Sequence, residues 1–192
     1  MGASLALHRD EVRRRLLDAL ATLLEERGFD AITLADIAQA AGIGRTSVYN
    51  HVPDKETLLL AFIDDETARY LAALEAALAG VDDPVEQLRI YVRHQLRVRR
   101  SFHMPAGLRN AVSPETQARL REHAEPVEAA LRRILAAGIA SGAFHHQLLE
   151  VAVPLVNACL SARVAQGYGP TPHDAAAAAT EAFVLRAVGA TS

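Results

Sequence analysis

Apolar residues recur at three- and four-residue spacing along most of the chain, which is the period of an α-helix with one buried face. Between Asp10 and Arg27 the apolar positions are Val12, Leu16, Leu17, Leu20, Leu23 and Leu24. Glycine and proline separate the repeating blocks, and we find no block with the period of two that is typical of a strand. The pattern predicts an all-α fold of about nine helices.

The predicted helices cover most of the chain. Their expected ranges are 10–27, 33–41, 45–51, 54–80, 83–100, 102–112, 113–140, 147–166 and 172–189. The early helices are short and the later ones are long enough for a layered bundle, so we place a boundary after Glu56 and expect domains 1–56 and 57–192. Pro126 and Pro154 interrupt two long helices and are expected to bend them.

The composition narrows the class of protein. Of the 192 residues, 51% are hydrophobic and 22% are charged, which supplies a core and excludes an intrinsically disordered chain. We recognise neither a signal peptide nor an apolar run long enough to span a membrane. The single cysteine, Cys159, excludes an intramolecular disulfide framework. We therefore expect a cytoplasmic protein with no membrane partner.

Residues 33–51, TLADIAQAAGIGRTSVYNH, predict a helix-turn-helix. Thr33 is expected to cap the first helix, with Asp36 in the acidic position of a capping box. The small residues Ala41 and Gly42 allow a tight turn, and Val48 keeps the second helix against the core.

The outer surface of that second helix would then carry only polar or hydrogen-bonding side chains. These are Arg45, Thr46, Ser47, Tyr49, Asn50 and His51. Such groups suit base edges and phosphates. Because the net charge is −3 and residues 1–60 hold nine carboxylates against seven arginine and lysine side chains, any contact with DNA must come from a local patch.

A longer stretch, residues 28–59, resembles the DNA-binding signature of the TetR/AcrR family of transcriptional regulators. The matching positions are Gly28, Phe29, Thr33, Ile37, Ala38, Ala41, Gly42, Ile43, Tyr49, His51, Lys55, Leu58 and Leu59. Val52 departs from the pattern because the family usually has a large aromatic residue there. The resemblance implies an all-helical homodimer with an N-terminal three-helix DNA-binding domain and a C-terminal bundle for ligand binding and dimerisation.

The resemblance also implies which side chains meet DNA. Tyr49 and His51 would contact phosphates or base edges, although helix packing also suits a tyrosine. Lys55 is the chain's only lysine and opens a helix, where its charge opposes the helix dipole, so a DNA phosphate would explain its presence. We expect Arg45 to read guanine, with phosphate contact as the alternative. The further candidates are Thr46, Ser47 and Asn50, and Thr33 after its capping role.

Two clusters of arginines and most of the histidines lie outside the helix-turn-helix. Arg13, Arg14 and Arg15 are expected to form a solvated face beside acidic neighbours. The cluster of Arg93, Arg97, Arg99 and Arg100 is expected to pair with acidic side chains, with an anionic ligand or a second nucleic-acid patch as alternatives. The eight histidines show no spacing typical of a metal site, and no catalytic motif is recognisable. We expect no metal, no cofactor, no catalytic residue and no enzyme activity.

An effector site within the long helices would be lined by aromatic, thioether and hydrogen-bonding side chains. The candidates are Tyr70, Tyr91, Gln95, Phe102, Met104, Asn110, Asn157 and Tyr168. Asn157 is the strongest candidate because it is an amide in the almost wholly apolar stretch 151–160, where it needs hydrogen-bond partners. A satisfied core amide or a contact at a dimer interface are its alternatives.

The last two predicted helices are apolar on more of their circumference than one core requires, which predicts a four-helix interface between two copies of the chain. The candidate interface residues are Val156, Leu160, Val164, Ala179 and Phe183.

These expectations combine into a one-component, ligand-responsive transcriptional regulator, with repression favoured over activation. It would bind a palindromic double-stranded DNA operator as a homodimer and be released by a small, mainly apolar effector. One alternative is a regulator that binds DNA without an effector. The other, of a different class, is a helical ligand-binding protein or enzyme with an incidental helix-turn-helix.

Overall fold

The computed structural model describes residues 2–101, 108–162 and 172–190, and all regular structure in these ranges is helical. The α-helices are α1 (Gly2–Glu26), α2 (Leu34–Ala40), α3 (Lys55–Leu78), α4 (Pro84–Ser101), α5 (Pro114–Glu122), α6 (Glu125–Ser141), α7 (Leu149–Ser161) and α8 (His173–Ala187). Short 3-10 helices span Phe29–Ala31, Ser47–Asn50 and Leu108–Asn110. None of the described helices combines the length and the apolar character needed to cross a membrane. The all-α expectation is confirmed for these ranges.

The described ranges hold eight α-helices, where about nine were predicted for the whole chain. The helix expected over 113–140 is divided into α5 and α6 at His123 and Ala124. Pro126 lies in the first turn of α6, where a missing N–H costs no hydrogen bond, so a new helix begins there and no longer helix bends. Of the helix predicted over 102–112, the structure describes residues 108–112, where the regular structure is the 3-10 helix Leu108–Asn110. Pro154 lies inside α7, as predicted.

The first of two compact units contains the described residues up to Ala68 together with those from 108 to 123. The three- and four-residue repeat of α1 forms one side of its core, which confirms the apolar face predicted there. Side chains that are at most 1% exposed include Leu16, Leu20, Phe29, Ile32, Ile37, Val48, Leu58 and Leu59. The segment 108–123 belongs to this unit although it lies far from the other residues in sequence.

The second unit is a helical bundle built from the described residues 69–101, 124–162 and 172–190. In it α4 packs against α6, α7 and α8, and α7 also packs against α6 and α8. The most buried members of its core are Leu74, Leu88, Tyr91, Val92, Leu131, Leu135, Val153, Leu160 and Val184. The two units divide within α3, between Ala68 and Arg69. The functional domains 1–56 and 57–192 stay a prediction, since compactness assigns no role to either unit.

Candidate nucleic-acid interface and effector site

The start of α2 is fixed by the capping box that the sequence predicts. The hydroxyl of Thr33 accepts a hydrogen bond from the backbone N–H of Asp36, and the carboxylate of Asp36 accepts one from the backbone N–H of Thr33 at 2.9 Å. The same hydroxyl donates to that carboxylate at 2.6 Å. These bonds from Thr33, assisted by the charges of Arg27 and Arg45, hold the pKa of Asp36 below its usual value. Thr33 is therefore a cap in the structure, and its contact with phosphate stays a prediction.

The turn after α2 is held by an arginine from α1. Arg15 donates hydrogen bonds from its guanidinium to the carbonyl oxygens of Ala41 and Gly42. The expectation that Arg13 to Arg15 form a solvated face is therefore wrong for Arg15. Helical register could have indicated this position, because Arg15 lies three residues after Val12 and four before Ala19, both of which are buried.

The reading segment, which we define as residues 45–51, exposes most of its polar side chains. Val48 is completely buried, as predicted, while Arg45, Thr46, Ser47, Tyr49 and Asn50 are exposed and His51 is partly exposed. Its regular part is a 3-10 helix over Ser47–Asn50, and not the α-helix predicted over 45–51. The segment contains residues of only moderate helix propensity and is bounded by Gly44 and Pro53, so little favours a longer helix.

Lys55 has a structural role that the sequence did not indicate. Its ammonium group donates to the carbonyl oxygens of Phe29 and Ile32, both at 3.0 Å, and lies 4.4 Å from the centroid of the Phe29 ring. These contacts explain a lysine at the start of α3 without DNA, so no phosphate is needed to offset the unfavourable helix dipole there. Phosphate binding by Lys55 stays a prediction from the resemblance alone.

Polar contacts of Glu56 and Asp64 join α3 to α5 within the first unit, and sequence reasoning missed them. The carboxylate of Glu56 accepts hydrogen bonds from Ser113 and Thr116. Nδ1 of His123 lies 3.0 Å from the carboxylate of Asp64. No local pattern could have found these pairs, because their partners are far apart in the sequence.

Three of the predicted effector residues meet in the second unit. The hydroxyl of Tyr91 accepts a hydrogen bond from Nε2 of Gln95 at 3.0 Å and donates one to Oδ1 of Asn157 at 3.5 Å. Tyr91 is completely buried, Gln95 is 6% exposed and Asn157 is partly buried. We call these three residues the polar core cluster. These hydrogen bonds are compatible with two interpretations of Asn157. It can be a core amide whose hydrogen bonds are satisfied within the protein, which the sequence left open, or part of a ligand site.

The remaining candidates for an effector site are placed differently. Tyr70 is buried, and its ring packs edge-on against His94 with centroids 4.9 Å apart. Burial, with a smaller contribution from the charge of Arg97, lowers the pKa of His94 and favours its neutral form. Asn110 is exposed and belongs to the first unit. The predicted contacts of Phe102, Met104 and Tyr168 lie outside the described residues.

A groove of about 420 Å³ lies between α4 and α8, and none of the described effector candidates lines it. Its lining residues are Arg93, Leu96, Arg97, Asp174, Ala177, Ala178 and Glu181. Burial alone would raise the pKa of Glu181, but hydrogen bonds from Arg93 and Arg89 outweigh it and hold the pKa below its usual value. Arg93 therefore pairs with an acidic side chain, as predicted, and this pair fastens α8 to α4.

The structure corrects part of the predicted dimer interface. Val156 and Leu160 are 4% and 0% exposed and belong to the core of their own unit, so they cannot face a second chain. Ala179 and Phe183 are exposed, and Val164 lies outside the described residues. Apolar side chains on the other sides of the two helices form two exposed stripes: Leu148, Val151, Leu155 and Ala158 at α7, and Ala175, Ala179, Phe183 and Ala187 on α8.

Metal ligands do not cluster in the part of the chain that the structure describes. It contains no group of three or more histidine, cysteine, aspartate or glutamate side chains placed to hold an ion.

Comparisons with known proteins agree with the resemblance of residues 28–59. The sequence model of the family described as bacterial regulatory proteins, tetR family, matches residues 16–62. The HTH-type transcriptional repressor KstR2 of Rhodococcus jostii is 43% identical over 74 residues, which cover 36% of this chain and 35% of that protein. The chain therefore matches about a third of the length of this curated relative.

Two solved structures are similar over most of the chain. The TetR family transcriptional regulator PfmR from Thermus thermophilus has a TM-score of 0.72 and 28% identity, and the match covers 90% of this chain and 97% of that one. RolR in complex with resorcinol has a TM-score of 0.66 and 28% identity, with 97% of this chain and 91% of that one covered. The similarity therefore includes both units.

Proposed function

We propose that this chain, which belongs to the TetR family of bacterial regulatory proteins, is a one-component transcriptional regulator acting in the cytoplasm. In this proposal it binds a double-stranded DNA operator as a homodimer, represses transcription there, and is released by a small molecule. It carries out no catalytic step of its own. Repression is favoured over activation because the curated relative with 43% identity is a transcriptional repressor.

The exposure pattern of the reading segment carries the proposal. Val48 is completely buried and anchors the segment, so the side chains on either side of it are turned outwards. Tyr49 is 61% exposed, which is unusual for a large aromatic residue that only packs against its own protein. Arg45 lies at the start of the segment, where recognition elements present side chains to the major groove.

The exposed stripes of α7 and α8 favour a symmetric dimer. Each stripe repeats at three- or four-residue spacing on the side of its helix that faces away from the core. Two helices from each of two chains would bury all four stripes in one isologous interface. A two-fold axis would then present two reading segments to half-sites roughly 34–36 Å apart, or one turn of duplex.

The polar core cluster favours an effector that combines apolar groups with a hydrogen-bonding group. Tyr91, Gln95 and Asn157 are polar side chains beside the apolar core of the bundle, and apolar walls with a few polar groups are the usual composition of a small-molecule site. RolR, which is similar over most of the chain, is solved with resorcinol, a small aromatic diol. An effector would shift the population towards a conformation whose two reading segments no longer match adjacent major grooves.

Selection from a pool of random duplexes tests this proposal. We expect enrichment of a palindromic sequence of roughly 15–25 base pairs, read by two reading segments. Binding of that duplex should weaken linearly with the logarithm of salt concentration, with a slope near −0.9 for each phosphate neutralised. Titration by fluorescence anisotropy at several salt concentrations measures this slope.

A matched pair of variants distinguishes DNA reading from a general effect of charge. Arg45→Ala should weaken binding of the selected duplex, whereas Arg133→Ala should not, although both remove one positive charge from an exposed position. Absence of enrichment, or binding that shows neither salt dependence nor sequence preference, would exclude the proposed function.

A further inference from the structure

Arg15 connects α1 with the end of α2. Its side chain leaves α1 and places Nη2 against the carbonyl oxygen of Ala41 and 3.2 Å from that of Gly42. Ala41 is the C-terminal cap of α2, and Gly42 begins the turn that leads to the reading segment. One guanidinium therefore binds both carbonyl groups at the point where the chain changes direction.

The last carbonyl groups of a helix lack partners within the helix and carry its partial negative charge. A guanidinium at this end satisfies them and stabilises their charge at the same time. Gly42 has φ +65°, a left-handed conformation that favours glycine, and a Cβ there would lie 2.8 Å from Nη2 of Arg15. The arginine and the glycine thus fit one another, and both stabilise a turn that is also closed by backbone hydrogen bonds from Gly42 to Gln39 and from Ile43 to Ala38.

Arg14 provides an internal comparison. It precedes Arg15 on the same helix, but its side chain is 64% exposed and pairs with Glu11 and Asp18 at 2.8 and 3.4 Å. Both partners are surface residues of α1 itself, so Arg14 holds no other element. Replacing either arginine removes the same charge from almost the same place, and only replacement of Arg15 releases the turn.

We infer that Arg15 is a positioning residue for DNA recognition, which keeps the reading segment in the orientation that binds base edges. This inference rests on the proposed function. Arg15 itself need not touch DNA, because the guanidinium is engaged by Ala41 and Gly42. Its loss should therefore affect the selected duplex more than an unrelated one, since phosphate contacts made by other residues tolerate a less defined orientation.

The test compares Arg15→Ala with Arg14→Ala on the selected duplex and on a scrambled duplex over a range of salt concentrations. We expect Arg15→Ala to weaken binding of the selected duplex about tenfold more than Arg14→Ala does. Both variants should bind the scrambled duplex equally, and the salt slope should be the same for both. A slope for Arg15→Ala that is lower by about one would instead indicate a phosphate contact and would overturn the inference.

Amide hydrogen exchange gives a second measurement that does not depend on DNA. In Arg15→Ala the amides of residues 42–52 should exchange faster than in Arg14→Ala, while the rest of α1 keeps its protection. If the wild-type protein binds no duplex, the proposed function fails and this comparison still decides whether Arg15 holds the turn. Equal exchange and equal duplex affinity in the two variants would overturn the inference.

If Arg15→Ala loses part of its structure, a milder pair of variants, Arg15→Lys and Arg14→Lys, still tests the inference. Lysine keeps the charge, but its side chain ends one atom short of the Nη2 that binds both carbonyl groups, so its ammonium reaches them less well. Arg15→Lys should therefore fall between wild type and Arg15→Ala in selectivity, whereas Arg14→Lys should match wild type. Wild-type selectivity in Arg15→Lys together with unchanged exchange at residues 42–52 would contradict the positioning role.

Discussion

The carboxylate of Glu56 accepts hydrogen bonds from both the backbone N–H and the hydroxyl of Ser113, although 57 positions separate the two residues. The hydroxyl bond is 2.6 Å long, and the hydroxyl of Thr116 donates to the same carboxylate at 2.5 Å. Glu56 lies in the first turn of α3, and Ser113 is the N-cap of α5. One carboxylate therefore joins the starts of two helices, next to the lysine that holds Phe29 and Ile32.

Replacing Glu56 by glutamine should remove part of the protein's acid sensitivity. The hydrogen bonds from Ser113 and Thr116 lower the pKa of Glu56, so the ionised form favours the folded state. This contribution is complete above the ordinary glutamate pKa of about 4.3 and is lost as the pH falls through the lower folded-state pKa. We expect Glu56→Gln to cost about 1–2 kcal/mol at neutral pH and less in acid. Thermal unfolding from about pH 3 to pH 7 measures both.

Glu115→Gln is the matched control for that experiment. Glu115 is an exposed glutamate in the first turn of α5, close in sequence to Ser113. Its replacement should leave the pH dependence of unfolding near that of wild type. A stability loss in Glu56→Gln that is the same at all pH values would show that the ionised carboxylate is not the stabilising form.

Lys55→Met should produce two separate effects. Loss of the hydrogen bonds to Phe29 and Ile32 should lower the free energy of unfolding by about 1–2 kcal/mol. If Lys55 also binds a phosphate, the variant should bind all duplexes more weakly and its salt slope should fall by about one. Denaturant unfolding and anisotropy measure the two effects independently. A variant that is destabilised but keeps the wild-type salt slope of duplex binding would show that the role of Lys55 is only structural.

Arg45→Ala should change sequence preference more than overall affinity. Arg45 is exposed at the start of the reading segment, where a bidentate contact with guanine is geometrically natural. Its removal should relax the preference at one base pair of each half-site, at a cost of about 1–3 kcal/mol for the cognate base. Binding to a panel of single-base variants of the selected duplex measures this. Equal weakening of binding to every duplex would show that Arg45 contacts a phosphate and does not read a base.

Local features of the fold were predictable because neighbouring residues determine them. The cap at Thr33 needs only Asp36 three residues later, and the burial of Val48 follows from the turn before it. The division between α5 and α6 depends on a choice that the sequence leaves open. Pro126 can bend a helix or start one, and the structure has it in a first turn.

Contacts between distant residues could not be predicted from one sequence. Lys55 was predicted to need a partner outside the chain, because nothing in the sequence places the carbonyl groups of Phe29 and Ile32 beside it. For α7 the periodicity showed that two sides are apolar, but not which side meets the core. The structure buries the side with Val156 and Leu160, which reverses the predicted assignment.

Asn157→Leu should weaken effector binding and leave DNA binding of the free protein intact. The amide lies beside the buried hydroxyl of Tyr91, and leucine of similar size would remove its polar atoms without opening a cavity. A thermal-shift screen with small phenols and other apolar compounds that carry a hydrogen-bonding group would first identify a stabilising ligand, and titration calorimetry would then compare the variant with wild type. Unchanged ligand affinity would make Asn157 a structural partner of Tyr91 only.

Leu155→Asp and Val156→Asp should have opposite consequences although the residues are neighbours. Leu155 is 60% exposed on the stripe of α7, and Val156 is 4% exposed in the core. In a dimer formed by the exposed stripes, Leu155→Asp should give a folded monomer, because the carboxylate stays in water when the chains separate. Val156→Asp places the carboxylate in the second unit's own core, where it should cost several kcal/mol and unfold that unit.

Sedimentation and circular dichroism separate these outcomes, and Phe183→Asp repeats the test on α8, where the side chain is 52% exposed. Leu155→Asp and Phe183→Asp should each keep wild-type helicity while losing the dimer and the affinity for a palindromic duplex. An interface of this kind buries on the order of 2,000 Å² or more, so the wild-type protein should be a dimer at micromolar concentration. A wild-type monomer under those conditions would remove the basis for reading a palindrome, because its two half-sites are related by a two-fold axis and need two reading segments related in the same way.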